Sequence, residues 1–171
     1  FGRRHMAMEK RELVACIRYQ IAAIRGVVGC FGGQLSYVKP HGALYTDLMV
    51  NQAIRRSVFT AVASFEGLEL MVQAHPLRET LITEASEFNL TLQFEAFADR
   101  LYLDDGSLAS RSSPGAVLGE ASAIMQAKQL ITSHVVTTGS GENIPIIADT
   151  LCVHGDTPAA LNIAKAVRAM L

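Results

Sequence analysis

Short apolar runs alternate along this chain with segments of helical period, and no other feature limits its fold as strongly. The apolar runs predict strands at residues 35–38, 68–74, 90–97, 135–138 and 144–153. The periodic segments predict helices at residues 13–24, 54–65, 77–88 and 119–131. A last helix has Thr157 as its predicted N-cap and Pro158 in its first position, while Gly26 and Gly67 close the first two helices. Strands that alternate with helices indicate βαβ units and a parallel sheet.

Polar and ionisable side chains lie at or just beyond the ends of four of the predicted strands. These residues are Lys39 and His41, Gln73 and His75, Glu95 and Asp99, and His154 and Asp156. The carboxyl ends of parallel strands form the active face of a (β/α) barrel or the crevice of an open sheet. We favour the barrel, and we expect the lysine, histidines and acids to converge at one rim. A complete barrel needs about 250 residues, so the 171 residues would form a single, partial barrel-like domain over 1–171.

The segment Lys39-Pro40-His41-Gly42 forms a rigid corner directly after the first predicted strand. Pro40 fixes the backbone and removes a donor, and Gly42 lets the chain turn or approach a ligand closely. An amine, an imidazole and the nearby phenol of Tyr45 would thus stand at a strand end, as in a catalytic or ligand-binding loop. The alternative is a turn whose Lys39 and His41 are merely solvated.

Two further segments carry ionisable groups near strand ends. Glu95, Asp99 and Arg100 belong to the segment EAFADR, where two carboxylates near a guanidinium suit acid–base work or substrate binding. The alternative is a surface pair of Asp99 with Arg100, which would contribute little. His154 and Asp156 join a buried strand to the last helix and could bind a metal, orient a water, or act as base and orienting acid. The alternative there is that Asp156 or Thr157 only caps the helix while His154 packs.

The composition argues against several classes of function. Hydrophobic residues make up 50% of the chain and charged residues 18%, which predicts a sizeable core. A net charge of -1 argues against a nucleic-acid-binding surface or a basic membrane patch. Cys16, Cys30 and Cys152 lack paired spacing, which favours a reduced, cytoplasmic protein over a zinc site. We expect no membrane span, because no uninterrupted apolar run reaches about 18 residues. The segment Gly139-Ser140-Gly141 predicts a hairpin turn.

Several sequence motifs resemble those of the LamB/YcsF family, whose members are 5-oxoprolinase A subunits. These are FGRRHM at the start, YVKPHGALY, FEAFADRLYLDDGSL, SRSSPGAVL and ADTLCVHGDTPAAL, in the family's order and over essentially the whole chain. KPHGALY and CVHGDTP together make the resemblance specific. In the family, a section with an Asp-Leu-Asn-Cys-Asp-like strand and an Ala-Cys-Gly-Phe-His-like motif precedes the FGRR segment. This sequence has no counterpart to that section, so we expect a piece of a larger protein.

The resemblance implies both a fold and an activity. The fold would be a TIM-like (β/α) barrel of seven strands, similar in shape to sugar deacetylases and glycoside hydrolases, of which this chain holds a part. The activity would be the opening of the 5-oxoproline lactam to L-glutamate with conversion of ATP to ADP and phosphate, in a cytoplasmic complex with the B and C subunits. A divalent metal could take part, and a homo-oligomer could cover the edges left by absent strands.

The resemblance also carries functional residues onto matching positions of this sequence. The implied catalytic residues are Lys39, His41, Glu95, Asp99, His154 and Asp156; the implied substrate-binding residues are Arg100 and Tyr45; and the candidate metal ligands are His41, His154 and Asp156. Glu95, or His154 oriented by Asp156, would activate water, and His41 would protonate the departing ring nitrogen. Lys39 or Arg100 would offset charge on the substrate carboxylate or on a transferred phosphate. Two other classes stay open: a metal-dependent deacetylase of N-acetyl sugars and a non-catalytic assembly subunit.

Overall fold

Helices and strands alternate through the computed structural model, which describes residues 4–171. Phe1, Gly2 and Arg3, which open the FGRRHM motif, lie outside the described residues. The described helices are α1 (Lys10–Cys30), α2 (Ala43–Val50), α3 (Gln52–Val62), α4 (Arg78–Ser86), α5 (Glu120–Ser133) and α6 (Ala160–Arg168). The described strands are β1 (Tyr37–Val38), β2 (Glu69–Gln73), β3 (Leu92–Phe97), β4 (Val135–Thr137), β5 (Asn143–Pro145) and β6 (Thr150–Cys152). The chain divides into two compact units: the first unit (residues 4–73 and 79–93) and the second unit (Ala74–Arg78 and Phe94–Leu171).

In the first unit, helix α1 packs against α3, and the short strand β1 pairs with β2. The strand pairing is parallel, with Tyr37 opposite Glu69. Helix α3 begins where the Asn51 side chain accepts a hydrogen bond from the Ile54 N–H at 3.1 Å, which satisfies a backbone donor that the helix itself cannot pair. The buried core of this unit includes apolar side chains of α3 and β2: Val58, Phe59, Val62, Leu70 and Val72.

A buried ion pair joins α3 to α4 within the first unit. The Arg55 guanidinium donates to both carboxylate oxygens of Glu84, at 2.7 and 3.0 Å, and its third nitrogen donates to the carbonyls of Leu48 and Met49. Hydrogen bonding by Arg55 lowers the pKa of Glu84 below its usual value. The two side chains are nearly enclosed, with 10% and 13% of their surfaces exposed. Because every nitrogen of the guanidinium is occupied, this pair is a structural contact.

In the second unit, β3 pairs with β6, and β4 pairs with β5. The β3–β6 pairing is parallel, with Glu95 opposite Thr150 and Phe97 opposite Cys152. Strands β4 and β5 are antiparallel, and Gly141 adopts a φ of 93° in the turn between them, so the predicted hairpin is confirmed. Helices α5 and α6 pack together over a core of Ala98, Ala123, Ala127, Ile163 and Val167.

The parallel pairings of β1 with β2 and of β3 with β6 confirm the predicted α/β class with a parallel sheet. Closure into a barrel gives every strand two neighbours. In the part of the chain that the structure describes, β1 and β6 each pair with one strand, and no closed barrel is present. The TIM-like barrel of seven strands and the single barrel-like domain over residues 1–171 therefore stay predictions.

The predictions for the end of the first helix and for the strand at residues 144–153 were wrong. Helix α1 continues through Gly26, because glycine is tolerated inside a helix that packs; the left-handed residue that follows the helix is Gly32, at a φ of 72°. The stretch predicted as one strand over residues 144–153 is divided between β5 and β6. Between them, Asp149 donates its N–H to the Phe94 carbonyl and accepts the Phe94 N–H on its carboxylate, both at 2.8 Å. These bonds interrupt the strand pattern.

Helix α1 is long and apolar enough to cross a membrane, judged by length and composition alone, with a mean hydropathy of 1.4. This differs from the sequence-based expectation, because Arg18 and Arg25 interrupt the apolar run but leave the mean high. The helix buries Val14, Ile17 and Ile21 and contacts α3. Because amphipathic helices of globular proteins also satisfy the length and composition test, the test is weak evidence for a span.

Candidate active site

The register of β3 against β6 brings an acid and a histidine together at the carboxyl ends of these strands. Phe97 lies opposite Cys152 in the parallel ladder, and the Ala98 N–H donates to the Cys152 carbonyl at 3.1 Å. Asp99 and His154 each follow this pair by two residues, so they meet directly beyond the last ladder bond. These two ionisable side chains therefore lie where the sequence placed them, just beyond the ends of two parallel strands.

The Asp99 carboxylate holds His154 through both the ring and the backbone. The Nδ1 of His154 lies 2.8 Å from Oδ1 and 3.0 Å from Oδ2 of Asp99, and the backbone N–H of His154 donates to Oδ2 at 3.1 Å. An ionised carboxylate only accepts hydrogen bonds, so Nδ1 carries a proton, and Nε2 is the ring nitrogen that is left to accept or donate one. Asp99 is therefore the acid that orients His154, and the sequence-based assignment of that role to Asp156 was wrong.

Burial and hydrogen bonding act in opposite directions on this acid. Asp99 is 1% exposed, whereas 23% of the His154 side chain is exposed. Burial alone would raise the pKa of Asp99, but the hydrogen bonds from His154 and the charge of its ring outweigh burial and hold that pKa below its usual value. Asp99 is thus ionised near neutral pH. A buried anion that holds a partly exposed imidazole is an arrangement in which histidine acts as a general base.

Gln126 on α5 fixes the turn that carries Asp99. Its side-chain amide nitrogen donates to three backbone carbonyls, those of Phe97, Ala98 and Arg100, at 2.8, 3.2 and 2.8 Å. Gln126 is 5% exposed, so water cannot easily replace these bonds. Because the bonded carbonyls lie on both sides of Asp99, the position of the carboxylate depends on α5.

Phe97 is held on two sides at the end of β3. Its backbone N–H donates to the Tyr102 hydroxyl at 3.0 Å, and Tyr102 is completely buried. Burial raises the pKa of Tyr102, so the phenol stays neutral and can serve as a hydrogen-bond partner. The Phe97 ring stacks on the His154 imidazole, with ring centres 5.8 Å apart. The same residue therefore connects the strand end to the face of the imidazole.

Asp99 and His154 line a pocket of the second unit with a volume of about 190 Å³. The other lining residues are Arg100, Arg111, Val117, Asp156 and Thr157. The volume is below the roughly 300–1,000 Å³ of sites for drug-sized ligands, which suits a small molecule. The Arg111 Nη1 donates to the Asp156 carboxylate at 3.2 Å, and this hydrogen bond lowers the pKa of Asp156. Asp156 thus pairs with Arg111.

Thr157 lines the same pocket and does not cap α6, contrary to the prediction. The helix begins at Ala160, whose N–H donates to the Thr157 carbonyl at 3.1 Å, because the chain makes a turn through Pro158 before the helix. The Oγ1 of Thr157 is buried and, among residues 4–171, has no hydrogen-bond partner. A buried hydroxyl of this kind in a pocket wall is a polar group that a ligand could satisfy.

Arg100 and Glu95 are both buried in the second unit. Arg100 is 8% exposed, and its guanidinium donates to the carbonyls of Ala109 at 2.6 Å and Ala116 at 3.3 Å. These bonds hold the loop at residues 101–118, which carries Arg111. Glu95 is 4% exposed and lies inside β3. Arg100, which the sequence predicted to bind substrate, is therefore engaged with the loop.

The remaining predicted site residues lie in the first unit. The Lys39 amine lies 5.6 Å from the centre of the Tyr45 ring, and Tyr45 is 7% exposed. His41 lines a larger pocket of about 840 Å³, whose wall includes the His5 Nδ1 hydrogen-bonded to the Asp47 carboxylate at 2.8 Å. The convergence of Lys39 and His41 with residues of the second unit stays a prediction.

The described residues do not fit the expected metal site. Among residues 4–171, no group of three or more His, Cys, Asp or Glu side chains is placed to hold a metal ion. His154 and Asp156 line one pocket, but His154 gives its Nδ1 to Asp99, and Asp156 accepts from Arg111. Nδ1 of His154 and one carboxylate oxygen of Asp156 are therefore engaged in contacts within the protein.

Comparison with known proteins identifies the family. The sequence matches the model of the LamB/YcsF family over residues 1–171. The chain belongs to the LamB/YcsF family. It is 47% identical over 172 residues to the 5-oxoprolinase A subunit of Vibrio cholerae, with 100% of this chain and 70% of that protein covered. It is 40% identical to the 5-oxoprolinase A subunit of Pseudomonas fluorescens, with 100% and 69% covered.

A crystal structure of a lactam utilization protein from Thermus thermophilus has the same fold. The TM-score is 0.84 at 37% sequence identity, and the match covers 98% of this chain. This chain spans 66% of the length of that protein, which is just under two thirds. The described fold is thus shared with a solved protein that is longer.

The sequence reasoning missed three residues of this LamB/YcsF chain as parts of the site: Arg111, Thr157 and Gln126. Arg111 lies in a loop, where neither strand nor helix periodicity places a side chain, and Thr157 was assigned to a helix cap. Gln126 gave a signal that could have been used, because it is a lone amide on the buried face of α5, between Ala123 and Ala127. A polar side chain on such a face needs buried partners.

Proposed function

We propose that this chain is part of an enzyme that opens the lactam ring of 5-oxoproline to L-glutamate, with ATP converted to ADP and phosphate. The observation that carries the proposal is the buried Asp99 carboxylate that holds His154 at the wall of a small pocket. The names of the relatives, which are 5-oxoprolinase A subunits and a lactam utilization protein, support this substrate. Because those relatives are named as subunits, we propose that this chain works in a complex with the B and C subunits. We also propose a TIM-like barrel as the complete fold.

Ring opening adds water across the C–N bond of the lactam. The hydroxyl of water joins the carbonyl carbon, the C–N bond breaks, and the ring nitrogen takes a proton to become the amino group of glutamate. A lactam is a stable amide and water is a weak nucleophile, so the proposal assigns ATP the task of phosphorylating the lactam oxygen. Water then adds to the phosphorylated carbon and loses a proton, and the C–N bond breaks to leave an acyl phosphate of glutamate. A second water displaces the phosphate and so completes the carboxylate. Each addition creates negative charge, which donors near the carbon would stabilise.

His154 is the general base in this proposal. Its Nδ1 is bonded to Asp99, so Nε2 accepts the proton that water loses, and the Asp99 carboxylate stabilises the imidazolium that forms. The same imidazolium can then give its proton to the departing ring nitrogen. A positioned base of this kind contributes about 10²–10⁴-fold to the rate.

The proposal is tested by measuring glutamate and ADP formed by the chain assembled with the B and C subunits. Glutamate should form only when both 5-oxoproline and ATP are supplied. The substitution His154→Gln should lower turnover by about 10²-fold or more. The control His134→Asn changes an exposed histidine that ends α5 in a left-handed conformation, which asparagine tolerates, and should keep turnover near the wild-type value. A wild-type assembly that forms no glutamate would contradict the proposal.

Other results would favour the two other classes of function. Equal turnover by the wild-type and His154→Gln assemblies would indicate a non-catalytic assembly subunit. Stoichiometric zinc in the purified chain, together with release of acetate from N-acetyl sugars, would indicate a metal-dependent deacetylase. Elemental analysis and an acetate assay on the same preparation measure both quantities.

A further inference from the structure

The pocket beside His154 contains two guanidinium groups whose surroundings differ. Arg100 is 8% exposed and donates to two carbonyls of the loop at residues 101–118. Arg111 makes one hydrogen bond within the described part of the chain, from Nη1 to Asp156, and 27% of its side chain is exposed. Because a guanidinium has five N–H donors, Arg111 keeps donors for a ligand while Arg100 shapes the loop that presents it.

A second donor lies in the same wall of the pocket. Thr157 directly follows Asp156, the residue that Arg111 contacts, and its buried Oγ1 has no hydrogen-bond partner among residues 4–171. A hydroxyl can donate to the oxygens of an anion that an arginine binds. The guanidinium and the hydroxyl thus form a pair of donors next to the acid–histidine contact.

The charge of the pocket wall favours a carboxylate over a phosphate. The ionised groups other than the histidine are the two carboxylates of Asp99 and Asp156 and the guanidinium groups of Arg100 and Arg111. Their charges cancel, so the wall offers little net attraction for a multiply charged phosphate. A singly charged, planar carboxylate matches the fork of an arginine.

We propose that Arg111, assisted by Thr157, binds the carboxylate of the substrate and thereby selects lactams that carry a carboxylate beside the ring nitrogen. This inference rests on the proposed function, since it names the part of 5-oxoproline that the pocket recognises. Arg111 contacts the substrate away from the bond that breaks, so its loss should weaken binding and should leave an unsubstituted lactam unaffected.

The test compares 5-oxoproline with 2-pyrrolidinone, the same five-membered lactam without a carboxylate. NMR titration of each lactam into the purified chain gives the Kd for the wild type, Arg111→Met and the control Arg168→Met. Arg168 is an exposed residue in the last turn of α6, so its replacement removes the same charge away from the pocket. The wild type and Arg168→Met should prefer 5-oxoproline by about 10–100-fold, the range expected of a hydrogen bond to a charged group. Arg111→Met should bind the two lactams equally.

Two further variants check the geometry. Arg111→Lys keeps the charge without the planar fork and should keep only part of the preference. Thr157→Val keeps the shape, removes the hydroxyl and should reduce the preference by about 3–10-fold. Unchanged binding of 2-pyrrolidinone to every variant shows that the pocket is still folded.

The outcomes separate this inference from the proposed function. A preference for 5-oxoproline that survives in Arg111→Met, or a wild type that binds both lactams equally, overturns the inference alone. A wild-type chain that binds neither lactam also overturns it. Glutamate formation in the assembled complex does not depend on these titrations, so it decides the proposed function independently.

Discussion

Two buried contacts of an acid with a nitrogen base lie in the described part of the chain, Arg55–Glu84 in the first unit and Asp99–His154 in the second, and they differ in what surrounds them. The distances are nearly equal, at 2.7 and 2.8 Å, and the acids are 13% and 1% exposed as side chains. Every guanidinium nitrogen of Arg55 is bonded within the fold. By contrast, His154 keeps Nε2 without a partner among the described residues and lines a pocket. We call the first contact closed, because its donors are all bonded within the fold, and the second open, because one ring nitrogen is not.

This difference separates a structural contact from a reactive one. A buried pair whose donors are all used holds two helices together, and removal of one partner leaves the other as an uncompensated charge. An oriented imidazole with one unbonded nitrogen can accept and return a proton. Distance and burial are similar in the two contacts, so the unbonded nitrogen is the feature that indicates function.

The largest expected effect is on the closed contact. Glu84→Gln should lower the free energy of unfolding by about 3–5 kcal/mol, because it leaves the Arg55 charge buried without its partner. The control is Glu87→Gln, which breaks the Arg56–Glu87 pair of 2.8 Å, whose side chains are 40% and 53% exposed. The control should cost at most about 1 kcal/mol. Urea titration measures both, and equal losses would show that enclosure does not distinguish the two pairs.

The next effect is on the open contact. Asp99→Asn should lower turnover per folded molecule by about 10²-fold, which equals about 2.7 kcal/mol in the barrier. An amide can donate to Nδ1 of His154 and so favours the tautomer with its proton on Nε2, which cannot act as a base. Glu84→Gln should leave turnover per folded molecule unchanged. Steady-state glutamate formation, normalised by folded protein, checks both, and normal turnover in Asp99→Asn would remove the contrast.

A smaller effect concerns the support of the open contact. Tyr102→Phe should lower the free energy of unfolding by about 0.5–1.5 kcal/mol, because the hydrogen bond from the Phe97 N–H to the buried hydroxyl is lost. Tyr37→Phe removes a hydroxyl from a residue that is 48% exposed and should change stability by about 0.5 kcal/mol at most. Chemical denaturation of the two variants provides the comparison. Equal stability of Tyr102→Phe and the wild type would show that this hydrogen bond contributes little.

The smallest expected effect is a difference in acid sensitivity. The pKa of Asp99 is lower in the folded protein than in the unfolded chain, where it is about 3.9. Its stabilising contribution is therefore complete above that pH and is lost as the pH falls through the folded-state value. Between about pH 5 and pH 2, Asp99→Asn should lose less stability than the wild type, while Glu66→Gln, which changes an exposed carboxylate, should follow the wild type. Urea titrations across this range give the free energy of unfolding at each pH. Parallel curves for the wild type and Asp99→Asn would show that His154 does not stabilise the ionised acid.

Local patterns in the sequence predicted the elements and one half of the site. The alternation of strands and helices placed Asp99 and His154 just beyond strands, which is where the structure has them. The acid that pairs with His154 could not be predicted this way, because Asp156 is nearer along the chain whereas Asp99 is nearer across the sheet. The β3–β6 register, a tertiary feature, decides between them.

The parts that the sequence did not predict depend on contacts between distant residues. Helix α2 was missed because the KPHGALY motif was interpreted as a loop, although Tyr45 and Leu48 bury one side of a short helix there. Arg111 reaches the pocket because it lies in a loop whose path is fixed by hydrogen bonds from Arg100 to carbonyl oxygens. Such bonds leave no periodic trace in the sequence, because they link side chains to main-chain atoms of an irregular segment.

Because Gln126 bonds three carbonyls around Asp99, the orientation of the His154 imidazole depends on the position of helix α5. A tilt of α5 would move the turn, the turn would re-aim the carboxylate, and the carboxylate would change how firmly Nδ1 keeps its proton. Substitutions in the core beneath α5 could therefore change the orientation of His154 without changing any residue of the pocket. An engineer who wished to alter this site would do well to begin one helix away from it.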